Sequence, residues 1–165
     1  MNIRLATCFS LLALFCAAFS ELPVRAAPII VSGSGYQIAS LSYGGQLFAN
    51  RSYVWTGIAA SIRGWQFTRL YGGETAAIQV LSNQSCTLYV ATASDQPNLT
   101  GWQRVDSLTF CHTDRNHTLM YVYARPYVAG TTVPVPQQSW TGTIVLMPEL
   151  DDPENTRPVP GVVVD

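Results

Sequence analysis

Cys86-Thr87-Leu88-Tyr89-Val90-Ala91-Thr92 and Val105-Asp106-Ser107-Leu108-Thr109-Phe110-Cys111 begin and end the stretch that decides the fold. Both runs alternate between apolar and polar residues, which is the pattern of a half-buried β-strand. The segment between them, residues 93–104, is polar and contains Pro97 and Gly101, which are typical of a loop. The stretch therefore predicts two strands of a β fold, with a cysteine at the outer end of each.

Cys86 and Cys111 are predicted to form a disulfide bond. The other two cysteines, Cys8 and Cys16, fall in a predicted signal peptide. Its removal leaves an even number of cysteines for an oxidising compartment. The bond would close a loop of about 25 residues and contribute about 3 kcal/mol in the chain-entropy model. Two free, buried thiols are the alternative.

Residues 1–20 have the layout of a secretory signal peptide. Arg4 supplies a positive start, residues 5–19 are mostly apolar, and Ala18 and Ser20 are small residues where a signal peptidase reads the chain. The apolar run has about 15 residues, whereas a membrane-spanning helix needs ~20. The protein is therefore predicted to be secreted, with no membrane insertion. A buried N-terminal helix is the alternative.

Residues 21–148 are predicted to form one all-β domain. Short apolar or alternating runs recur between turn-forming residues, and no segment shows sustained helical periodicity. Eight or nine short strands at this spacing predict a single antiparallel β-sandwich, jelly-roll-like, with a closed barrel as the alternative. A short helical turn is predicted within residues 57–63. The strands are predicted near residues 29–32, 36–41, 52–55, 64–70, 76–81, 86–92, 107–110, 118–125 and 141–146.

Charge is distributed unevenly along the chain. Residues 149–165 are rich in acidic residues and proline and lack a core pattern, so they are predicted to be a disordered acidic tail. All nine basic residues are arginine, and the net charge is −1. Without lysine, Schiff-base chemistry is excluded. Without basic clusters, nucleic acid and anionic membranes are disfavoured as partners.

Four of the five asparagines after the predicted signal begin an Asn-x-Ser/Thr sequon, and none has proline in the middle. Chance alone predicts about one such match. Each sequon lies at a predicted turn or strand edge, where a glycan can remain in solvent. Glycosylation in a eukaryotic secretory pathway is therefore predicted at Asn50, Asn83, Asn98 and Asn116. The alternative is a bacterial periplasmic protein with accidental sequons.

No catalytic residue, metal site or cofactor is predicted. His112, Asp114 and His117 could ligate a metal, but their spacing places them in a hairpin loop beside the Asn116 sequon, so an exposed turn is favoured. The chain has no G-x-S-x-G motif, and both cysteines are expected to be oxidised. The few acidic residues of the domain are not matched as a glycosidase pair.

Four tryptophans and eight tyrosines exceed what a core of this size usually requires. An exposed aromatic ring can stack on a sugar, while neighbouring polar side chains bind the hydroxyl groups. Trp102, which lies in the polar loop, is predicted to be the most exposed tryptophan, whereas Trp65 is expected in the core. The predicted ligand-binding residues are Trp102, Arg104, Trp55 and Arg69.

Leu47-Phe48-Ala49-Asn50-Arg51-Ser52-Tyr53-Val54-Trp55-Thr56-Gly57-Ile58 leads into Ile62-Arg63-Gly64-Trp65. This segment resembles a pattern of secreted β-sandwich modules attached to extracellular carbohydrate-active enzymes and esterases. Residues 88–91 and 122–130 are similar to later parts of that pattern, so the resemblance covers most of residues 47–130. It implies a non-catalytic accessory role and no specific ligand.

The sequence therefore predicts a secreted, glycosylated, non-catalytic module that binds a glycan or an extracellular glycoprotein. One alternative is a structural component of an extracellular matrix, coat or secretion, whose acidic tail associates with Ca²⁺. Another is a small secreted hydrolase. The oligomeric state does not follow from the residues.

Overall fold

The computed structural model describes residues 29–73 and 75–148. The predicted signal peptide and the predicted acidic tail lie outside the described residues. A short 3-10 turn, Ala60–Ile62, lies within the range predicted for a helical turn. The strands are β1 (Ile29–Ser34), β2 (Tyr36–Ser40), β3 (Trp55–Thr56), β4 (Gln66–Leu70), β5 (Ala77–Ser82), β6 (Cys86–Thr92), β7 (Gln103–His112), β8 (Leu119–Tyr127), β9 (Val133–Val135) and β10 (Ile144–Met147).

The strands form two antiparallel sheets. The small sheet has the order β1-β5-β9, and the large sheet has the order β2-β4-β10-β6-β8-β7-β3. The large sheet curls into a half-barrel with β2 and β3 as its edges. This all-β arrangement is consistent with the predicted β-sandwich, and its jelly-roll character stays a prediction.

The central strands of the large sheet are buried on both faces. All four residues of β10 are buried, as are the last five residues of β6, Leu88 to Thr92. Successive side chains of a strand point to opposite faces. Other parts of the protein must therefore cover each face of the large sheet.

Aromatic side chains cover one of these faces. The ring of Trp55 packs edge-on against Phe67 and Phe110, with ring centroids 5.5 and 4.9 Å apart. Trp65 packs in the same manner against Tyr89, at 5.3 Å. Edge-to-face pairs of this kind contribute about 0.5–1.5 kcal/mol each beyond their buried area. Tryptophans 55 and 65 therefore belong to the core.

The small sheet is joined to the large sheet by Ser82 and Tyr127. The backbone N–H of Ser82, at the end of β5, donates to the Tyr127 hydroxyl of β8 over 2.9 Å, and both residues are buried. Cross-strand partners place four buried aliphatic side chains on one face of the small sheet. They are Ile78, Val80, Val133 and Val135.

Each of the nine predicted strands overlaps a strand of the structure, but β9 is missing from the prediction. Its sequence, Val133-Pro134-Val135, contains a proline, which cannot donate a ladder hydrogen bond. β9 pairs only with β5, at the edge of the small sheet, so one of its sides needs no partner. Proline is compatible with an edge strand of this kind.

The predicted disulfide bond is wrong. Cys86 lies opposite Tyr127 in β8, whereas Cys111 lies opposite Leu119, near the other end of the same strand. These positions on β8 are separated by about 26 Å at the usual rise of a strand, and a disulfide requires Cα atoms within about 7 Å. The prediction fails because β8 lies between β6 and β7. Both thiols are free and half-buried.

We expect two titratable thiols in the unfolded protein from which residues 1–20 have been removed, and no effect of a reducing agent on its denaturant midpoint. The physical reason is the separation of Cys86 from Cys111. Thiol quantification in guanidinium, with and without prior reduction, measures this directly. A cross-linked peptide containing both cysteines, or a loss of about 3 kcal/mol on reduction, would contradict the strand order.

Thr68 holds β4 and β10 together by its side chain. The ladder between these strands consists of Leu146 opposite Phe67 and Met147 opposite Gln66. Beyond it, the backbone N–H of Val145 donates to the hydroxyl oxygen of Thr68 over 2.8 Å. Both residues are buried. The hydroxyl therefore satisfies an N–H group that would otherwise have no partner in the core.

Thr68→Val is expected to lower the free energy of unfolding by about 1–3 kcal/mol, because valine has the same shape but leaves a buried donor unpaired. Denaturant unfolding measures the change in stability, and amide hydrogen exchange reports on Val145. Thr68→Ser is the matched control, since it keeps the hydroxyl and should keep the Val145 amide protected. Equal protection of that amide in Thr68→Val would refute this role.

Candidate functional site

The Trp140 loop, residues 137–143, presents an exposed tryptophan on a rigid support. The Trp140 side chain is 59% exposed, the largest exposure of any described tryptophan. The side-chain amide of Gln137 pairs with the backbone of Thr143, whose N–H donates to Oε1 over 3.0 Å and whose carbonyl accepts from Nε2 over 3.3 Å. The Gln137 amide thus pairs with Thr143 as the backbone of a neighbouring strand would, and the two bonds join the ends of the loop.

Further hydrogen bonds fix the loop to the large sheet. The Gln138 N–H donates to the Thr143 hydroxyl, and the Gln138 carbonyl accepts from the Thr92 hydroxyl of β6. The N–H of Ala93 donates to the hydroxyl of Thr141. Because Thr141 and Thr143 are buried and Gln138 is bonded to β6, the chain is anchored both before and after the exposed indole. An exposed aromatic on a fixed loop is a common feature of binding surfaces, since little ordering entropy is lost on binding.

The loop also has a backbone that few sequences can adopt. Ser139 has φ 57° and Gly142 has φ 72°. A Cβ atom on Gly142 would lie 2.5 Å from a methyl carbon of Leu70. A glycine is therefore needed at 142, both for the left-handed conformation and for close packing on β4.

His112 lies beneath Trp140 within a cluster of aromatic rings. Its ring centroid is 5.7 Å from that of Trp140, 5.9 Å from Tyr53 and 6.2 Å from Trp55. Phe48 also contacts Trp140, at 6.5 Å. We call Phe48, Tyr53, His112 and Trp140 the aromatic cluster. Trp140 is its exposed member, and His112 is fully buried.

The prediction that these histidines lie in an exposed turn is therefore wrong for His112, which is buried, and confirmed for His117, which is exposed. Burial lowers the pKa of His112 below its ordinary value, although the nearby Asp114 carboxylate acts in the opposite direction. The closest atoms of this pair, Nδ1 and Oδ1, are 3.8 Å apart. Both ring nitrogens of His112 lack a hydrogen-bond partner among the described residues.

Asp114 organises the turn between β7 and β8. Its carboxylate accepts hydrogen bonds from the backbone N–H and the hydroxyl of Thr118, over 2.7 and 2.6 Å. Burial alone would raise the pKa of Asp114, but the hydrogen bonds from Thr118 lower it below the ordinary value, and a positive charge on His112 would lower it further. Asp114 is therefore a carboxylate at neutral pH, beside an uncharged imidazole.

The structure does not bring the predicted ligand-binding residues together. Trp55 is fully buried in the core and offers no surface to a ligand in this conformation. Trp102 is half-buried, and the guanidinium carbon of Arg125 lies 5.5 Å from its ring centroid. Arg104 pairs with Asp106 and stacks on Tyr121. Arg69 donates to Gln37 on β2.

The prediction that Trp102 is the most exposed tryptophan is wrong, because Trp140 is more exposed than Trp102. A signal for Trp140 was present in Gln137-Gln138-Ser139-Trp140-Thr141-Gly142-Thr143, where a single large apolar residue stands among polar and turn-forming ones. Trp102 has the same kind of neighbours but packs partly against the core. Composition alone does not distinguish the two loops.

The four sequon asparagines are exposed in the structure. Asn83 lies in the turn between β5 and β6, Asn98 in the loop before β7, and Asn116 in the turn before β8. Asn98 also adjoins the Trp140 loop, since its backbone N–H donates to Oε1 of Gln138. Glycosylation at these positions stays a prediction.

Within residues 29–73 and 75–148, no three His, Cys, Asp or Glu side chains are grouped so that they could hold a metal ion. No helix in that part of the chain is long and apolar enough to cross a membrane. Comparisons with protein-family models, curated proteins and solved structures gave no match to this chain. The resemblance to secreted β-sandwich modules therefore stays a prediction.

Asn50 differs from the other sequon asparagines because its side chain is part of the structure. Its Oδ1 accepts from the N–H of Gly72 over 2.7 Å, and its Nδ2 donates to the Gly72 carbonyl over 3.2 Å. Gly72 is buried. The Asn50 amide thus pairs with both backbone groups of one residue in the turn after β4.

Asn50→Ala is expected to lower the free energy of unfolding by about 1–3 kcal/mol, because the buried N–H of Gly72 loses its acceptor. Asn83→Ala is the matched control: it removes another exposed sequon asparagine and should change stability by no more than about 0.5 kcal/mol. Both variants are measured by denaturant unfolding of unglycosylated protein. Equal midpoints for the two variants would exclude a structural role for the Asn50 amide.

Proposed function

We propose that this protein is a secreted, non-catalytic binding module that contacts a glycan through the exposed face of Trp140. The observation that carries the proposal is the exposed indole, fixed at the tip of a hydrogen-bonded loop. The face of an indole carries partial negative charge, and the C–H groups of a sugar ring carry partial positive charge. A sugar can therefore stack on Trp140 without any change in the loop.

Polar groups beside the indole supply hydrogen bonds for sugar hydroxyls. Ser139, which precedes Trp140, is exposed, and Gln138, which accepts from the Asn98 N–H, is partly exposed. None of these groups is charged, which fits a neutral ligand better than an anionic one. A glycan attached to a glycoprotein would present the same sugar rings and hydroxyl groups as a free oligosaccharide.

The environment of the buried histidine supports a non-catalytic role. Neither ring nitrogen of His112 has a hydrogen-bond partner within the described residues, so no nucleophile is activated there in this conformation. The half-buried Cys111 thiol lies 3.0 Å from the Thr56 hydroxyl and has a free sulfur. The Cys111 thiol and the Thr56 hydroxyl are therefore side chains packed against each other.

Trp140→Ala is expected to weaken glycan binding by about 5-fold to 150-fold, if a sugar stacks on the indole as strongly as a nucleobase stacks on an aromatic side chain, about 1–3 kcal/mol. The measurement is a glycan array with the intact secreted protein, followed by calorimetric titration of the best oligosaccharide. Trp102→Ala is the matched control and should bind as the unmodified protein does. Equal loss in both variants, or binding unaffected by Trp140→Ala, would contradict the proposed surface.

A further inference from the structure

His112 is a buried base whose hydrogen-bonding capacity is not used. Its side chain is fully buried, and neither Nδ1 nor Nε2 has a hydrogen-bond partner among the described residues. Trp140 packs edge-on against the imidazole at 5.7 Å and is itself exposed on its other side. The indole therefore lies between His112 and solvent, and it is held there by the Trp140 loop.

One negatively charged side chain lies beside His112. Asp114, in the turn after β7, has its Oδ1 3.8 Å from Nδ1. Tyr53 contributes a phenol, and Phe48, Trp55 and the Trp140 loop contribute no titratable group. In the same turn Arg115 and His117 are exposed. The Arg51 guanidinium, two residues before Tyr53, donates to the carbonyl of Gly72.

A proton on the imidazole would create a charge with two N–H donors in this apolar enclosure. Asp114 can face Nδ1, but no acceptor among the described residues faces Nε2. A buried ionic group with an unpaired donor is strongly unfavourable, so the charged ring must reach water. Trp140 is the most exposed ring packed against His112, since Phe48 and Trp55 are buried and Tyr53 is half-buried, so we expect the charged ring to reach water past Trp140.

We propose that His112 is an acid-sensitive latch for the Trp140 loop. At neutral pH the uncharged imidazole packs beneath the indole and the loop is closed. When the ring is protonated, it turns toward water, the indole loses its support, and the loop opens. The latch is a property of the fold and does not require a ligand. Its effect on glycan binding, a loss of affinity at acidic pH, rests on the proposed function.

The direction in which pH changes loop closure follows from the linkage between protonation of His112 and opening of the loop. Burial lowers the pKa of His112 in the closed state, whereas the open state has the ordinary value of about 6.5. Above that pH both states are uncharged, and closure has its full stability. Below it the open state binds the proton first, so closure weakens by at most tenfold per pH unit until the closed state is also protonated.

The experiment is hydrogen exchange of the intact secreted protein, without added ligand, between pH 7.5 and 5. Rates are corrected for the intrinsic pH dependence of exchange. We expect the protection factors of residues 138–143 to fall by several-fold up to about tenfold per pH unit below pH 6.5, while the amides of β10 keep their protection. His117→Gln removes the other histidine of the chain and should show the same fall.

His112→Phe should abolish the fall, because an uncharged ring stays in the aromatic cluster at every pH. If that variant does not fold, His112→Gln serves the same purpose. Asp114→Asn should leave the onset near pH 6.5 and extend the fall to lower pH, since the closed-state imidazolium loses its nearest negative charge. An unchanged fall in the His112 variants, or titration of His112 in NMR spectra without any change in the loop, would overturn the latch. Failure of glycan binding to Trp140 leaves these results intact and tests only the proposed function.

Discussion

The insertion of β10 between β4 and β6 is the constraint on which the rest of the structure depends. Without β10 the large sheet would divide into β2-β4 on one side and β6-β8-β7-β3 on the other. β10 is also the last strand of the described chain, so the sheet is completed by contacts that are distant in sequence, such as Leu146 with Phe67. The Thr68 hydroxyl completes the same junction where the backbone ladder ends. Non-local pairing of this kind makes folding slow relative to helical proteins of similar size.

The Trp140 loop is held in the closed arrangement by its attachment to this central strand, which it precedes directly. Its base is closed by the pairing of Gln137 with Thr143, one residue before β10 begins. Its other side is bonded to the end of β6, the neighbour of β10. The position of the exposed indole is therefore set by the central strands of the large sheet, to which the loop is bonded. A site attached to a regular element is held more precisely than one on an independent loop.

The sequence predicts the strands well, since alternation of apolar and polar residues is a local property. It does not predict which strands are neighbours. The cysteine pairing fails for this reason: β6 and β7 follow one another in the chain, but β8 separates them. The same limit applies to the candidate site. The prediction that Trp55 and Trp102 bind a ligand considers the sequence alone, whereas their burial is decided by distant partners, Phe67 and Phe110 for Trp55 and Arg125 for Trp102.

The buried His112 has no explanation in stability alone. A buried polar atom without a hydrogen bond costs about 1–3 kcal/mol, and an apolar ring of similar shape would avoid that cost. Its surroundings, Tyr53, Trp55 and Trp140, would accept such a ring. Asp114 lies near enough to bias the protonation of the imidazole and too far to hydrogen-bond with it. A titratable ring placed under the exposed indole, with one carboxylate beside it, gives the fold a dependence on pH that a phenylalanine would remove. Polar groups that break the rules of core packing commonly mark such functional positions.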